Sequence, residues 1–266
     1  MLVRIVAGAV AAAAVAWLAR RRGTLDGSGQ LAALVCGTAA AAAGWAWAAV
    51  LVAYFGAAVA VTAAGAARKS ARTNGTLAKG GARNAAQVAA NGGVFALLAL
   101  AAGGEPATAM GIAATGALAA ASADTWATEI GTLWGGTPRS ILTGARIKAG
   151  MSGGITLAGT AAAAAGSLFV AAASVLAHDA PDARHRVLVT GSAGFAGAMF
   201  DSLFGASLQE RRWCARCRVH TEQRVHPCGE PTAHAGGTRW INNDVVNVAG
   251  TLAGAGAAVM ISRLAA

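Results

Sequence analysis

Long stretches without charge constrain this chain more than any other feature. No Asp, Glu, Lys or Arg occurs between Asp26 and Arg68, between Lys148 and Asp179, or between Asp244 and Arg263. Runs of this kind supply the ~20 apolar residues that carry one helix across a bilayer core. Charges, glycines and polar clusters divide them into about eight spans, at 2–19, 27–43, 45–67, 85–102, 106–130, 154–176, 187–208 and 241–263. Only 12% of the residues are charged, against about a quarter in soluble domains. With 36 glycines and 5% aromatic residues, helix packing must rest on close contacts between small side chains. The expected fold is all-α, a polytopic transmembrane helical bundle that forms one integral-membrane domain over residues 1–266. Arg20 to Arg22 follow the first span instead of preceding it, which reads as a retained helix with an anchor and not as a cleaved signal.

Basic residues sort by loop. The segments 20–26, 68–84, 131–153 and 209–240 carry 17 of the 21 Lys and Arg, and the alternate segments carry Arg4, Arg184, Arg186 and Arg263. The positive-inside rule then places the four rich loops in the cytoplasm and both termini outside, in a multi-pass protein of the cell membrane. The same asymmetry accounts for the net charge of +10, so nucleic acid is not expected as a partner. Asp124, Glu129, Asp201 and Asp244 are the acids within or at the rim of spans, all toward the cytoplasmic ends. Ionisable groups at such positions are costly and usually serve chemistry, which makes these four the candidate catalytic residues. Asp26, Glu105, Asp179, Asp182, Glu210, Glu222 and Glu230 lie in loops and read as solvated.

Further polar residues fall at helical spacing near the same face. Lys79, Arg83 and Gln87 follow i, i+4, i+8, and Asn84, Gln87 and Asn91 follow i, i+3, i+7, so a polar stripe runs from a basic loop into the fourth span. With Lys69 and Arg72 upstream, this segment is suited to phosphate, Lys as a point charge and Arg as a bidentate fork. Asp124, Thr128 and Gly131 share a face, whereas Glu129 is turned about 140° from Asp124 around an ideal helix. Arg139 and Lys148 flank a glycine-rich turn that ends in Gly153-Gly154 before the sixth span, a weak anion-binding signal. In the last span Asn243 and Asn247 share a face beside Asp244, and capping explains one of Asn242, Asn243 and Asp244 but not Asn247. The 209–240 loop holds Cys214-Ala215-Arg216-Cys217, His226 and Cys228. One CxxC with a later Cys and a nearby His is a candidate structural Zn²⁺ set.

Read together, Lys79…Arg83…Gln87…Asn91, Asp124-Thr125-Trp126-Ala127-Thr128-Glu129-Ile130-Gly131, Pro138-Arg139, Gly153-Gly154, Asp201-Ser202 and Asn243-Asp244-Val245-Val246-Asn247 resemble one family. It is an integral-membrane family, formerly a domain of unknown function, that includes transmembrane protein 19 and the plant phytyl-phosphate kinase. The resemblance implies a kinase that converts an isoprenyl monophosphate lipid to its diphosphate, with a nucleoside triphosphate, CTP favoured, as donor. It implies Mg²⁺ held by Asp124, Asp201 and Asp244. Phosphates would be clamped by Lys69, Arg72, Lys79, Arg83, Arg139 and Lys148, with the tail among small-residue helices open to the bilayer. A transporter or flippase would place its polar groups near the membrane midplane. A cytidylyltransferase of a lipid phosphate would share the metal and phosphate parts and release diphosphate.

Overall fold

The computed structural model describes residues 2–73, 76, 81–180 and 182–265. Its helices are α1 (Leu2–Arg21), α2 (Gly27–Ala43), α3 (Trp45–Ala63), α4 (Ala66–Thr73), α5 (Ala85–Val88), α6 (Val94–Ala101), α7 (Ala109–Trp134), α8 (Leu157–His178), α9 (Ala183–Leu208) and α10 (Asn243–Leu264). A π turn over Ala89–Gly93 joins α5 to α6 in one continuous apolar helix. Among the described residues, five helices (α1, α3, α8, α9 and α10) are long and apolar enough to cross a membrane. The shorter apolar helices Gly27–Ala43 and Ala85–Ala101, with the 26-residue α7, complete the eight expected runs.

The bundle is organised around α7. One unbroken stretch of it, Ala113 to Ala123, is buried, and α8, α9, α10, α6 and α3 all pack on it. Small residues set how closely these helices approach. A Cβ on Gly254 of α10 would meet Ala120 Cβ at 2.6 Å and Gly116 O at 2.7 Å. On Gly197 of α9 it would meet Ala120 Cβ at 2.7 Å, and on Gly159 of α8 it would meet Ala127 O at 3.0 Å. Lipid tails are as apolar as leucine, so dispersion at such crossings, more than water exclusion, holds the helices together. A second packing centre is aromatic: Trp47 of α3 meets Phe95 edge-on at 5.8 Å between ring centroids and His178 at 4.3 Å. Large apolar side chains point outward instead, among them Val10, Val35, Leu97, Leu176 and Leu252. That inverted pattern gives the bundle the apolar exterior a bilayer requires.

Several element boundaries differ by three or four residues from the sequence expectation, among them the starts of α7 at Ala109, α8 at Leu157 and α9 at Ala183. The third span ends at Ala63, because Gly65 takes φ +61 and the chain restarts as the short basic helix α4. Helix α7 runs on to Trp134, so the whole Asp124–Gly131 segment is helical. Within 209–240 the chain forms strands β3 (Arg211–Cys214), β4 (Val219–Thr221) and β5 (Ala233–Gly236), antiparallel in the order β4-β3-β5. A two-residue pair, β1 (Arg139–Ser140) with β2 (Gly154–Ile155), closes the connection between α7 and α8.

The four basic loops converge at one end of the bundle. Asp26 N donates to Arg83 O and Arg83 N donates to Thr24 O, both at 3.0 Å. The Arg72 guanidinium donates to Leu133 O at 3.3 Å and also to Gly136 O. Glu222 N donates to Thr76 O at 3.0 Å, and Ser152 N donates to the Glu222 carboxylate at 2.8 Å. At the other end Arg4 donates to Ala42 O and Arg186 to Pro106 O. The loop alternation read from charge is therefore matched by contacts in space.

Because a Cβ on Gly254 would collide with Ala120 and the Gly116 carbonyl, Gly254→Val should lower the melting temperature in detergent, by a loss of about 1–3 kcal/mol. Gly256→Ala, at a position where a Cβ meets nothing within 4 Å, should leave it unchanged or slightly raised, since alanine is the better helix former. Equal melting curves for the two variants would rule out this crossing as a determinant of stability.

Candidate active site at the loop-bearing end

Below the converged loops lies a cavity of ≈ 250 Å³ bounded by α5, α7, α8, α9, α10 and the loop from Gly150 to Thr156. Each wall has a local cause. Asp124, Thr128 and Glu129 project from the last turns of α7, where the helix emerges from its small-residue packing. Asp201 comes from α9 and is buried; Gly250 of α10 makes room for it, since a Cβ there would lie 2.9 Å from Asp201 Cβ. Asn91 belongs to the π turn, an irregularity common at functional sites, and its amide meets that of Asn247 at 3.3 Å. With its amide nitrogen turned toward α9, Asn247 donates to Asp201 Oδ2 at 3.3 Å and to Asn243 O at 3.1 Å. Asn91, Asp124, Asp201 and Asn247 also line a niche of ≈ 10 Å³ beneath the cavity.

The glycine-rich turn forms the opposite wall. Gly153 has φ +76, and a Cβ there would approach Ala206 Cα at 2.9 Å and Ser202 O at 3.0 Å. A side chain would thus be both strained and crowded. Thr156 caps α8 by accepting from Gly159 N at 3.0 Å, and Thr156, Gly159 and Thr160 line the cavity. The N-terminus of α8, the positive end of its dipole, therefore faces the carboxylates. Asn243, the first residue of α10, lines the same space.

The sequence candidates separate into two groups. Asp124, Glu129, Asp201, Thr128, Arg83, Gln87, Asn91, Asn243 and Asn247 line the cavity. Lys69, Arg72, Asn84, Arg139, Lys148 and Asp244 do not, and Lys79 lies outside the described residues. Lys69 is buried and forms an ion pair with Glu129 while donating to Val61 O at 2.9 Å and Thr62 O at 2.7 Å. That contact explains how Glu129 shares the cavity with Asp124 despite the helical phase: its longer side chain is drawn across by Lys69. Arg72 binds the carbonyls at the end of α7. Asn84 caps α5, accepting from Gln87 N at 3.1 Å, while the Gln87 side chain accepts from Asn84 N at 3.1 Å. Arg139 is exposed and donates to Gly144 O at 2.9 Å in its own hairpin. Lys148 lines a separate surface pocket with Trp213 and His220. Asp244 stands in the first turn of α10, where Asn242 is the cap, accepting from Asp244 N at 3.0 Å.

Two loop acids are not solvated. Glu210 is buried and pairs with Arg212 at 2.5 Å and His234 at 3.4 Å. Glu222 lines the cavity; its carboxylate accepts from Ser152 N at 2.8 Å and Gln209 Nε2 at 2.7 Å. Burial pushes the Glu222 carboxyl up to about 7, opposed by those two hydrogen bonds. Nothing in its loop sequence signals this, because it depends on the β-sheet folding back over the cavity. Tyr54 was likewise invisible: buried on α3, it lies against Thr125 with Arg83 and Asp124 in electrostatic range.

A second cavity reaches this site from the side. It is an apolar groove between α1, α2, α3 and α5, lined by Ala12, Val15, Leu25, Ala33, Leu51, Phe55 and Ala58, and its polar end is Arg83, Gln87 and Asn91. Those three residues line both spaces. The Arg83 guanidinium is held there by donating to Thr62 Oγ1 at 2.9 Å.

The fold and site define a polytopic membrane protein with a carboxylate-bearing polar cavity at one end and an apolar groove opening into it. The chain belongs to the family described as integral membrane protein DUF92, which its residues 10–255 match. It is 29% identical over 235 residues to Protein PGR of Arabidopsis thaliana, covering 80% of this chain and 81% of that protein. No solved structure matches it.

The raised Glu222 pKa has a sign that can be checked. Its neutral form is favoured by the fold, so the stability it contributes is present below about pH 4.5 and is lost as pH rises through about 7. Glu222→Gln should therefore flatten the fall in melting temperature over that window. An unchanged pH profile in the variant would mean that Glu222 titrates as a solvated carboxylate.

Proposed function

We propose that this protein is a membrane-embedded prenyl-phosphate kinase. It would transfer the terminal phosphoryl group of a nucleoside triphosphate, CTP first among candidates, to an isoprenyl monophosphate to give the diphosphate, on the cytoplasmic face of the cell membrane. The observation that carries this reading is the sharing of Arg83, Gln87 and Asn91 between the apolar groove and the polar cavity. A lipid tail in the groove would bring its headgroup phosphate to those three residues and no further. The family resemblance of the Asp124–Gly131 segment supports the same chemistry.

The donor set fits Mg²⁺. Asp124 and Asp201 bring two carboxylates to a niche of ≈ 10 Å³ that Asn91 and Asn247 also line, about the space of one water molecule, and Mg²⁺ prefers oxygen ligands. Charge points the same way: among the described residues, the cavity lining holds Asp124, Glu129, Asp201 and Glu222 against Arg83 alone, and Lys69 offsets only Glu129. Asp124 and Asp201 would hold the ion, with Asn247 fixing the Asp201 carboxylate by its amide hydrogen bond; bound there, Mg²⁺ would supply neutralisation of phosphate charge.

The remaining work falls to positioning, which dominates phosphoryl transfer. Arg83 and Gln87 would hold the acceptor phosphate at the groove mouth, and the N-terminus of α8 with Thr156 and Thr160 would hold the donor phosphates. An ionised oxygen of the acceptor attacks the terminal phosphorus, a new P–O bond forms, and the bond to the leaving nucleoside diphosphate breaks. The acceptor monophosphate is already deprotonated, so no general base is required.

Purified protein with Mg²⁺, CTP and geranylgeranyl phosphate should yield the diphosphate and CDP. Release of inorganic diphosphate would identify a cytidylyltransferase instead, and no product with any nucleotide or chain length would overturn the assignment. Arg83→Gln should raise KM for the prenyl phosphate about tenfold or more, the loss of one charge-assisted contact. Asp124→Asn should abolish turnover at an unchanged melting temperature.

A further inference from the structure

On the sheet that covers the cavity, four side chains meet that the proposed reaction does not use. Cys214 ends β3, Cys217 lies in the β3–β4 turn, and His226 and Cys228 lie in the connection to β5. One potential ligand atom from each lies within 4.8 Å of all the others. Cys214 Sγ and Cys228 Sγ are 3.7 Å apart, and His226 Nδ1 is 3.2 Å from Cys228 Sγ. A disulfide would need sulfurs at about 2 Å, and all three thiols are free. Tetrahedral zinc with bonds of about 2.3 Å to sulfur puts neighbouring sulfurs about 3.8 Å apart, and its shorter bond to nitrogen brings an S···N edge to about 3.5 Å.

We infer that Cys214, Cys217, His226 and Cys228 form a structural Zn²⁺ site that locks the β3–β5 sheet over the cavity. The donor chemistry suits zinc, since three thiolates and one imidazole form an accepted closed structural set that leaves no position for water. His226 would ligate through Nδ1, the atom that faces Cys228. Three thiolates with Zn²⁺ leave one net negative charge, and Arg216 stands over it, donating to Cys228 O at 3.3 Å.

The position of the site says what it is for. Cys214 pairs with Val219 in the β3–β4 ladder, and that ladder ends at Arg212 with Thr221, the residue before Glu222. The metal would therefore fix the strand that delivers the Glu222 carboxylate to Ser152 N and Gln209 Nε2. A loop of this length between α9 and α10 contains little apolar core of its own. Among the described residues its buried side chains are Gln209, Glu210, Cys214, Thr221, His226, Thr232 and Ile241, of which only Ile241 is a large apolar one. A metal crosslink substitutes for the missing core, as in other small metal-held units.

The test uses the full-length protein in detergent, purified without chelator from cells grown with added zinc, and reads metal content and not turnover. Its outcome is thus independent of the kinase assignment. Elemental analysis should find about one zinc per chain, and replacement by Co²⁺ should produce thiolate-to-cobalt charge-transfer absorption. Cys217→Ser, at the exposed member of the set, should lose the metal and speed hydrogen exchange at the Ser152 amide while the α7 and α10 amides stay protected. If Cys217→Ser fails to fold, the same losses should follow chelator treatment of the wild type. Absence of zinc together with absence of cobalt bands would overturn the inference. So would a Cys214–Cys228 disulfide, or zinc retained in a Cys214→Ser/Cys217→Ser double variant.

Discussion

Everything at the loop-bearing end depends on how closely α8, α9 and α10 approach α7. Gly116 with Gly254, Ala120 with Gly197 and Gly131 with Gly159 bring backbones together at distances that a larger side chain would prevent. In a bilayer this packing is the available source of cohesion, since helix faces gain little by leaving lipid. It also determines function, because the helices that cross α7 carry the polar groups. Asp201 reaches the cavity beside Asp124 because α10 offers Gly250 at their contact. Packing and chemistry are one problem in this fold.

Electrostatics then distributes the polar residues. A membrane interior tolerates charge only where it is paired or solvated, and the bundle uses both solutions. Lys69 folds back on α3 carbonyls and neutralises Glu129, which leaves Asp124, Asp201 and Glu222 as the lining acids without an ion pair among the described residues. The charge of the two aspartates is faced by the N-terminus of α8 and, in the proposed reaction, by a divalent ion. Arg83 is the lining cation, and it stands where apolar groove becomes polar cavity. A molecule with a long apolar body and an anionic head matches that junction on both sides.

Much of the fold was legible because membrane helices announce themselves by length and charge exclusion. Spans such as 27–43 and 85–102 agree with α2 and the α5–α6 helix to within a residue. The sidedness of the basic loops was legible for the same reason. The candidate site was legible in part. Asp124, Asp201, Asn91 and Asn247 stood out as polar residues in apolar runs, and they converge. Lys69, Arg72 and Asn84 belong to the same motifs but are spent on local structure, an ion pair, a helix end and a cap. No spacing rule distinguishes a lysine that binds phosphate from one that neutralises a neighbouring acid.

Sequence alone determined that this chain is a multi-pass helical protein, which loops share a face, and which acids sit where burial is costly. These follow from local composition, because a bilayer demands ~20 apolar residues per span whatever the neighbours are. Only tertiary structure decided which acids are neutralised, that Glu222 leaves solvent for the cavity wall, and that an apolar groove meets the site at Arg83. It also brought Cys214, Cys217, His226 and Cys228 to one point. Those outcomes depend on contacts between segments tens of residues apart, and the fold alone places such segments side by side.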